Sequence, residues 1–191
     1  MKYNAKGHKR KSIRLRGYDY SQHGMYFVTV CTSDKKCNLG KIMNDDMKLN
    51  KYGHIVEKEL LKSNIIRKEI CINNYVIMPN HLHIIVSIVG ADGRSPLQQY
   101  TTFRMKPKSL SSFVSGFKSK VTKQINILRK TPGTPFWQRN YYEHIIRNEK
   151  KLNEIREYII NNPLKWLLDR ENPDRKGSDK LEDEIFSSKG E

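Results

Sequence analysis

Residues 70–89 read ICINNYVIM-PN-HLHIIVSIV, two apolar runs divided by Pro79-Asn80. Runs rich in β-branched residues and ended by turn formers predict two strands, over 70–78 and 81–89. His81 and His83 stand two apart in the second, so both imidazoles share one face and Leu82 turns to the other. Two neutral imidazoles at that spacing can hold a divalent ion and leave positions open for substrate. They can equally be two surface histidines on an amphipathic strand.

Upstream, residues 24–32 (GMYFVTVCT) predict a further strand. Residues 33–50, with Asp34, Asn38, Gly40, Asn44 and Asp45, predict turns and a short hairpin. A helix follows over 51–67, with Ile55, Leu60, Leu61 and Ile65 approximating its apolar stripe. Residues 90–108, with Gly90, Gly93, Pro96 and Pro107, read as a loop. A second helix, 110–130, carries Phe113, Phe117, Val121 and Ile125 on one stripe and has Ser109 or Ser111 as its cap. A short strand at 141–147 and a third helix at 148–161, capped by Asn148 and stopped before Pro163, complete the set. Residues 166–169 add one turn. This order suits an α+β sandwich, one antiparallel sheet with helices on one face.

The chain has 191 residues, about one domain's worth. Residues 1–20 read as a basic arm, 21–170 as the domain, and 171–191 as a charged, flexible tail. Thirty-six Lys and Arg against 20 Asp and Glu give a formal net charge of +16. Residues 1–16 hold seven bases and no acid, whereas residues 171–191 hold seven acids and four bases. No apolar run approaches the ~18–20 residues that span a bilayer, which excludes a helical membrane protein. Ten Tyr, 6 Phe and 2 Trp supply too much core material for a disordered chain. The basic surplus favours a polyanionic partner, nucleic acid first. Cys31, Cys37 and Cys71 are odd in number and match no paired spacing. They read as reduced thiols in a cytoplasm. The basic start lacks an apolar signal core, and lacks the Ser richness of a transit peptide.

Tyr158 and Asn162 are four apart, so they share a helical face. Either alone reads as a boundary tyrosine and a helix-end asparagine. Combined with the histidines they suggest a mechanism. A metal can grip and orient a phosphate in line with a phenol, and attack gives a covalent phosphotyrosine that stores the bond energy for rejoining.

Three segments carry a resemblance: VIMPNHLH at 76–83, FWQRNYYEHIIRN at 136–148, and EYIINNPLK at 157–165. In this order the chain resembles the HUH-type single-tyrosine transposases of the insertion-sequence-200 type, and most of all their REP-associated branch. The resemblance covers roughly residues 20–166. It implies a ferredoxin-like or RRM-like fold with the histidine pair on a central strand. It implies metal-dependent cleavage and rejoining of single-stranded, hairpin-associated DNA. His81 and His83 would ligate Mg²⁺ or Mn²⁺, Tyr158 would be the nucleophile that forms a 5′-phosphotyrosine, and Asn162 would match the third ligand, often Gln in related enzymes. Tyr141 and Tyr142 are rival nucleophiles. Glu143 and His144 either support the metal site, contact DNA or tie a short strand to the sheet.

Phosphate contacts are expected from Lys9, Arg10, Lys11, Arg14 and Arg16 on the arm, from Lys118, Lys120 and Lys123 on the second helix, and from Arg139 and Arg147 beside the site motif. Residues 179–184 (DKLEDE) can either fold back over the basic cleft and compete with DNA or stay free. A monomer is favoured, with a homodimer as the alternative, and no membrane partner is expected. The rival readings are an RRM-like module that binds single-stranded nucleic acid without cutting it, and a hydrolase using metal-bound water.

The charge arithmetic makes a first prediction. Affinity for single-stranded DNA falls about 300-fold or more between 50 and 200 mM salt if six or more phosphates are contacted. Titration of a labelled oligonucleotide across salt concentrations checks this, and a flat response removes the electrostatic argument.

Overall fold

Leu82, Ile84, Val86 and Ile88 alternate along one strand with His81, His83 and Ile85, and all seven are buried. A strand buried on both faces needs cover on each side of its sheet. The computed structural model, which describes residues 19–89 and 108–187, has that arrangement. In chain order the elements are β1 (Gly24–Cys31), β2 (Gly40–Met43), β3 (Asp46–Leu49), α1 (Lys51–Ile66), β4 (Ile70–Ile77), β5 (His81–Ile88), α2 (Leu110–Arg129), β6 (Tyr142–Ile146), α3 (Glu149–Asn161) and α4 (Lys180–Ser187). Short 3-10 turns lie at Ser33–Lys35 and Trp166–Leu168.

The main sheet has the order β4-β5-β1-β6, and every neighbouring pair is antiparallel. The fold is the expected α+β sandwich with the histidine motif on central strand β5, but helices cover both faces of the sheet and not one as expected, because β5 is apolar on both sides. Tyr26, Val28 and Val30 of β1 and the even-numbered residues of β5 face α1 and α2, where Phe113, Phe117, Val121 and Ile125 complete a large core. The second helix thus buries the stripe its spacing predicted. The opposite sheet face carries Phe27 and Ile85, covered by Leu152, Ile155, Tyr158 and Ile159 of α3 and by Ile185 of α4.

Local chemistry sets the ends. Asn50 caps α1 by accepting from the Tyr52 and Gly53 amides, Ser109 forms a capping box with Ser112 on α2, and Asn148 accepts from the Lys151 amide at α3. Two further expectations need correction. Of the four positions expected on the apolar stripe of α1, Leu60 is buried and Ile55 packs against the core, but Leu61 is 47% and Ile65 81% exposed, and the buried positions are Gly53, Val56, Glu59, Leu60 and Ser63. Glu59 is tolerated there because Gln124 Nε2 donates to its Oε1 at 2.7 Å. The segment 171–187, expected as a flexible tail, carries α4, whose Ile185 is fully buried against the sheet. The loop expected at 90–108 lies outside the described residues except for Lys108, as do residues 1–18 of the arm.

Gly53 gives a test of how the β2–β3 hairpin sits on α1. A Cβ there would lie 2.3 Å from the Leu39 carbonyl oxygen and 2.9 Å from Leu49 Cδ2. Helix propensity favours alanine by ~1 kcal/mol. The contact is with backbone and cannot yield cheaply, so overpacking wins at about 1–3 kcal/mol. Gly53→Ala therefore lowers the urea midpoint. A raised midpoint would mean that the hairpin does not pack on the helix as described.

Candidate functional site

Strand period brings His81 and His83 to one face of β5, and their register opposite Cys31 and Thr29 puts them at the end of the sheet centre. The two Nε2 atoms lie 3.0 Å apart. Each Nδ1 is tied elsewhere, His81 to Asn80 Oδ1 at 2.8 Å and His83 to Thr29 Oγ1 at 2.8 Å. Asn80 is itself fixed, donating from Nδ2 to the carbonyls of Lys35 and Glu171. Its Oδ1 accepts the His81 Nδ1 proton, which leaves His81 Nε2 with its lone pair.

The helix α3 supplies the next two groups. Tyr158 Oη is 3.1 Å from His83 Nε2. One turn on, Asn162 donates from Nδ2 to Asp169 Oδ2 at 3.0 Å, while its Oδ1 is buried with no hydrogen-bond partner. Asp169 Oδ2 lies 3.6 Å from His81 Nε2, and a backbone amide, that of Glu171, donates to its Oδ1. His81, His83 and Asp169 form a buried group whose ligand atoms all lie within 4.8 Å of one another.

Every one of these groups is withdrawn from water. Burial pushes both imidazoles below the usual histidine range, and His83 is lowered further by His81 and Arg170. For His81 the carboxylates of Asp169 and Glu171 oppose the shift. Neutral imidazoles are the form that binds a metal. The fit to a divalent ion is therefore good: two Nε2 atoms converge, an orphaned amide oxygen stands nearby, and a carboxylate balances charge. Burial raises the Tyr158 hydroxyl well above the usual tyrosine range, and the charges of Asp169 and Glu182 add to this.

The C-terminal segment closes the site. Tyr158 Oη donates to Glu182 Oε1 at 3.2 Å. Glu182 also accepts from the Arg170 amide and from Arg175 Nη2. Phe186 packs within 4.6 Å of the Tyr142 ring and 6.2 Å of the Tyr158 ring, with the Arg170 guanidinium 4.2 Å over its own ring. Lys165 Nζ pairs with Asp179 at 2.6 Å and anchors the start of α4.

Tyr158, His81, His83 and Asn162 are thus brought together. The rival tyrosines stand apart from the histidine nitrogens. Tyr142 Oη donates to the Ile185 carbonyl, and Tyr141 packs on the α1–α2 core. His144 stands opposite Phe27 on the histidine face of edge strand β6, but Glu143 stands opposite Val28, on the other face. Glu143 is therefore no support to the histidine pair, because strand period sends it through the sheet. Lys118, expected as a phosphate contact, is engaged within the chain. Its half-buried ammonium donates to the carbonyls of Gln138 and Arg139 at 2.6 and 3.0 Å. Lys120, Lys123, Arg139 and Arg147 are exposed. Lys9, Arg10, Lys11, Arg14 and Arg16 lie outside the described residues.

Sequence reading missed Asp169 and Thr29, and it offered residues 179–184 as folding back without placing Glu182 on Tyr158. Asp169 follows the apolar turn WLL, a hint that it is buried, but nothing in its spacing ties it to His81. Among the described residues no helix is long and apolar enough to cross a membrane.

No protein-family model matches the chain. An uncharacterized protein of Haemophilus influenzae is 41% identical over 175 residues, covering 88% of this chain and 96% of that one. A second protein of that organism, named "Putative REP-associated tyrosine transposase", is 26% identical over 154 residues, covering 77% and 74%. Among solved structures, a REP-associated tyrosine transposase bound to a REP hairpin superposes with a TM-score of 0.58 at 23% identity, covering 82% of this chain and 74% of that one. That likeness establishes the shared fold. The chain belongs to one family with its uncharacterized Haemophilus relative, and it is similar to transposases of the REP-associated tyrosine type.

Proposed function

We propose that this protein cuts and rejoins single-stranded, hairpin-associated DNA through a 5′-phosphotyrosine on Tyr158. The observation that carries the reading is the 3.1 Å contact between Tyr158 Oη and His83 Nε2, with His81 Nε2 a further 3.0 Å on. A phenol and a metal-competent pair converge on one point. The solved relative's hairpin complex supports DNA as the partner. In this reading the tyrosine acts in cis on a monomer, which the packing of Tyr158 against His83 of the same chain supports. Acting on the cell's DNA, the protein works in the cytoplasm.

His81, His83 and Asn162 Oδ1, with Asp169 beside them, would hold Mg²⁺ or Mn²⁺. When bound, the ion supplies Lewis acidity at the scissile phosphate and at the leaving oxygen. The remaining work belongs to the chain. Asn80 and Thr29 fix the imidazole rings. Asp169 fixes the Asn162 amide. Tyr158 Oη forms the bond to phosphorus as the bond to the 3′ oxygen breaks. The phenolic proton leaves Tyr158, and the freed 3′ oxygen takes up a proton. Rejoining runs the same exchange in reverse with a 3′-OH as nucleophile.

In the closed arrangement this attack is blocked, because Glu182 holds the Tyr158 hydroxyl and α4 covers the histidines. The carboxylate contact is worth about 1.5–3 kcal/mol. Its loss, with that of the Phe186 ring, raises the open population by at least about tenfold.

A denaturing gel tests the reading. The protein is mixed with labelled single-stranded hairpin DNA from the flanks of its own gene, with Mg²⁺ or Mn²⁺. The expected result is a covalent protein–DNA band that EDTA and Tyr158→Phe abolish. Asn162→Ala should weaken Mn²⁺ binding about 10–100-fold, read by titration calorimetry. The double variant Glu182→Ala, Phe186→Ala should form the band at least about tenfold faster. A band that survives Tyr158→Phe moves the nucleophile to another tyrosine. Binding with no band under any condition favours the RRM-like binding module.

A further inference from the structure

A second concavity lies on the other side of the sheet, between the C-terminal half of α2 and the turn that follows it. Its volume is about 650 Å³, inside the ~300–1,000 Å³ range of small-molecule sites. The buried rings of Phe136 and Trp137 line it, together with Pro132, Pro135 and Ile127. Lys123, Lys130 and Arg139 also line it and are exposed, and no acidic residue does.

Two features mark this lining as unfinished. Ile127 is 68% exposed on the last turns of a helix in a strongly basic protein. Trp137 is only 6% exposed, yet its indole Nε1 is buried with no hydrogen-bond partner. Native structures rarely leave such a donor unmet, because the desolvation cost is not returned. The wall is also held rigid. Lys118 clamps the 138–139 carbonyls, and Arg129 Nη2 donates to the carbonyl of Thr134 at 3.1 Å.

The pocket is wired to the histidine end of the sheet. The Gln138 amide donates to the Cys31 carbonyl at 2.9 Å, and Trp137 bridges to Thr32. The Thr32 amide donates to the carbonyl of Asn80, the residue that fixes His81. An apolar, aromatic-lined hollow with a cationic rim, at the end of the sheet where a DNA strand would be cut, fits a planar ring joined to phosphates. Base rings are sequestered against such apolar and aromatic linings, and Lys and Arg track the backbone.

We propose that this pocket takes one unstacked nucleotide of the DNA strand, with its base against Phe136, Trp137 and Ile127 and its flanking phosphates on Lys123, Lys130 and Arg139. The indole N–H is the donor left for the base. Seating one nucleotide here fixes the register of the strand relative to Tyr158, so the pocket selects which bond is cut. The proposal rests on the DNA-cutting reading for its choice of ligand.

Trp137 reports on its own pocket. The chain has 2 Trp, so the full-length Trp166→Phe protein leaves Trp137 as the single emitter. The probes are a 12-nucleotide single-stranded DNA and an abasic deoxyribose-phosphate chain of the same length. The DNA should quench Trp137 saturably. The abasic chain should bind at least tenfold more weakly and leave the emission unchanged. Thr122→Phe fills the hollow and should bring the two affinities together. Ile127→Glu, at a position already exposed, should do the same without disturbing packing. Equal binding of the two probes to the parent overturns the proposal, since phosphates alone would then account for affinity. So does a preference for bases that survives both variants. The adduct gel on the same proteins separates the two readings. An adduct without quenching overturns the pocket and leaves the cutting intact. Base-dependent quenching without an adduct supports the pocket and removes the cutting.

Discussion

Two imidazole nitrogens 3.0 Å apart inside a protein constrain everything around them. Both cannot carry protons toward each other, and burial resists protonating either. The surrounding residues answer that constraint. Asn80 holds one ring from behind and Thr29 holds the other. Asn80 in turn ties the carbonyls of Lys35 and Glu171, residues 136 positions apart in the chain. The Pro79-Asn80 turn is therefore the point where the first 3-10 turn, the central strand and the C-terminal segment are joined. A loss at Asn80 would free one ring and two backbone acceptors together.

The closing of the site has a different character. Glu182 is 1% exposed, and a carboxylate at that depth is costly unless its oxygens are met. Tyr158, the Arg170 amide and Arg175 meet them. Such buried polar contacts fix geometry more than they add stability. The apolar share is small, because α4 has eight residues and only Ile185, with Phe186 and Leu181 partly, packs on the sheet. A cover held mainly by satisfied polar groups can leave at modest cost, since water can satisfy the same groups. This separates α4 from α3, whose Leu152, Ile155 and Ile159 are core.

The parts of the fold that sequence reveals are those governed by short periods. Strand alternation at 81–88, the Phe113-Phe117-Val121-Ile125 stripe and the caps at Ser109 and Asn148 all follow from residues within one or two turns. Where competing apolar residues lie on several faces, as at Leu61 and Ile65 of α1, local pattern misplaces the buried side, because packing against α2 and the hairpin decides it. The same limit explains the site. His81 with His83, and Tyr158 with Asn162, are each a local pair. Asp169 joins His81 from 88 residues away, and Glu182 joins Tyr158 from a stretch whose charge reads as solvated tail. Glu143 shows the sensitivity of register. Its neighbour His144 faces the histidines, and one residue's offset sends the carboxylate through the sheet.

Charge sign ties the closed site to the proposed reaction. With α4 docked, Glu182, itself paired with Arg175, holds the Tyr158 hydroxyl beside the neutral histidines, so the tyrosine is not free to meet a phosphate. The chain's surplus cations, Lys123, Lys130 and Arg139 among them, gather instead around the pocket beyond the sheet edge. A strand drawn to those cations meets an acid-guarded centre. In the proposed reaction two changes open it: departure of α4 releases Tyr158, and a divalent ion offsets Asp169. The phosphate gains from both, since each lowers the negative charge it meets. In the proposed reaction the centre is thus safe while closed. It becomes attractive to DNA only when the tyrosine is free to attack.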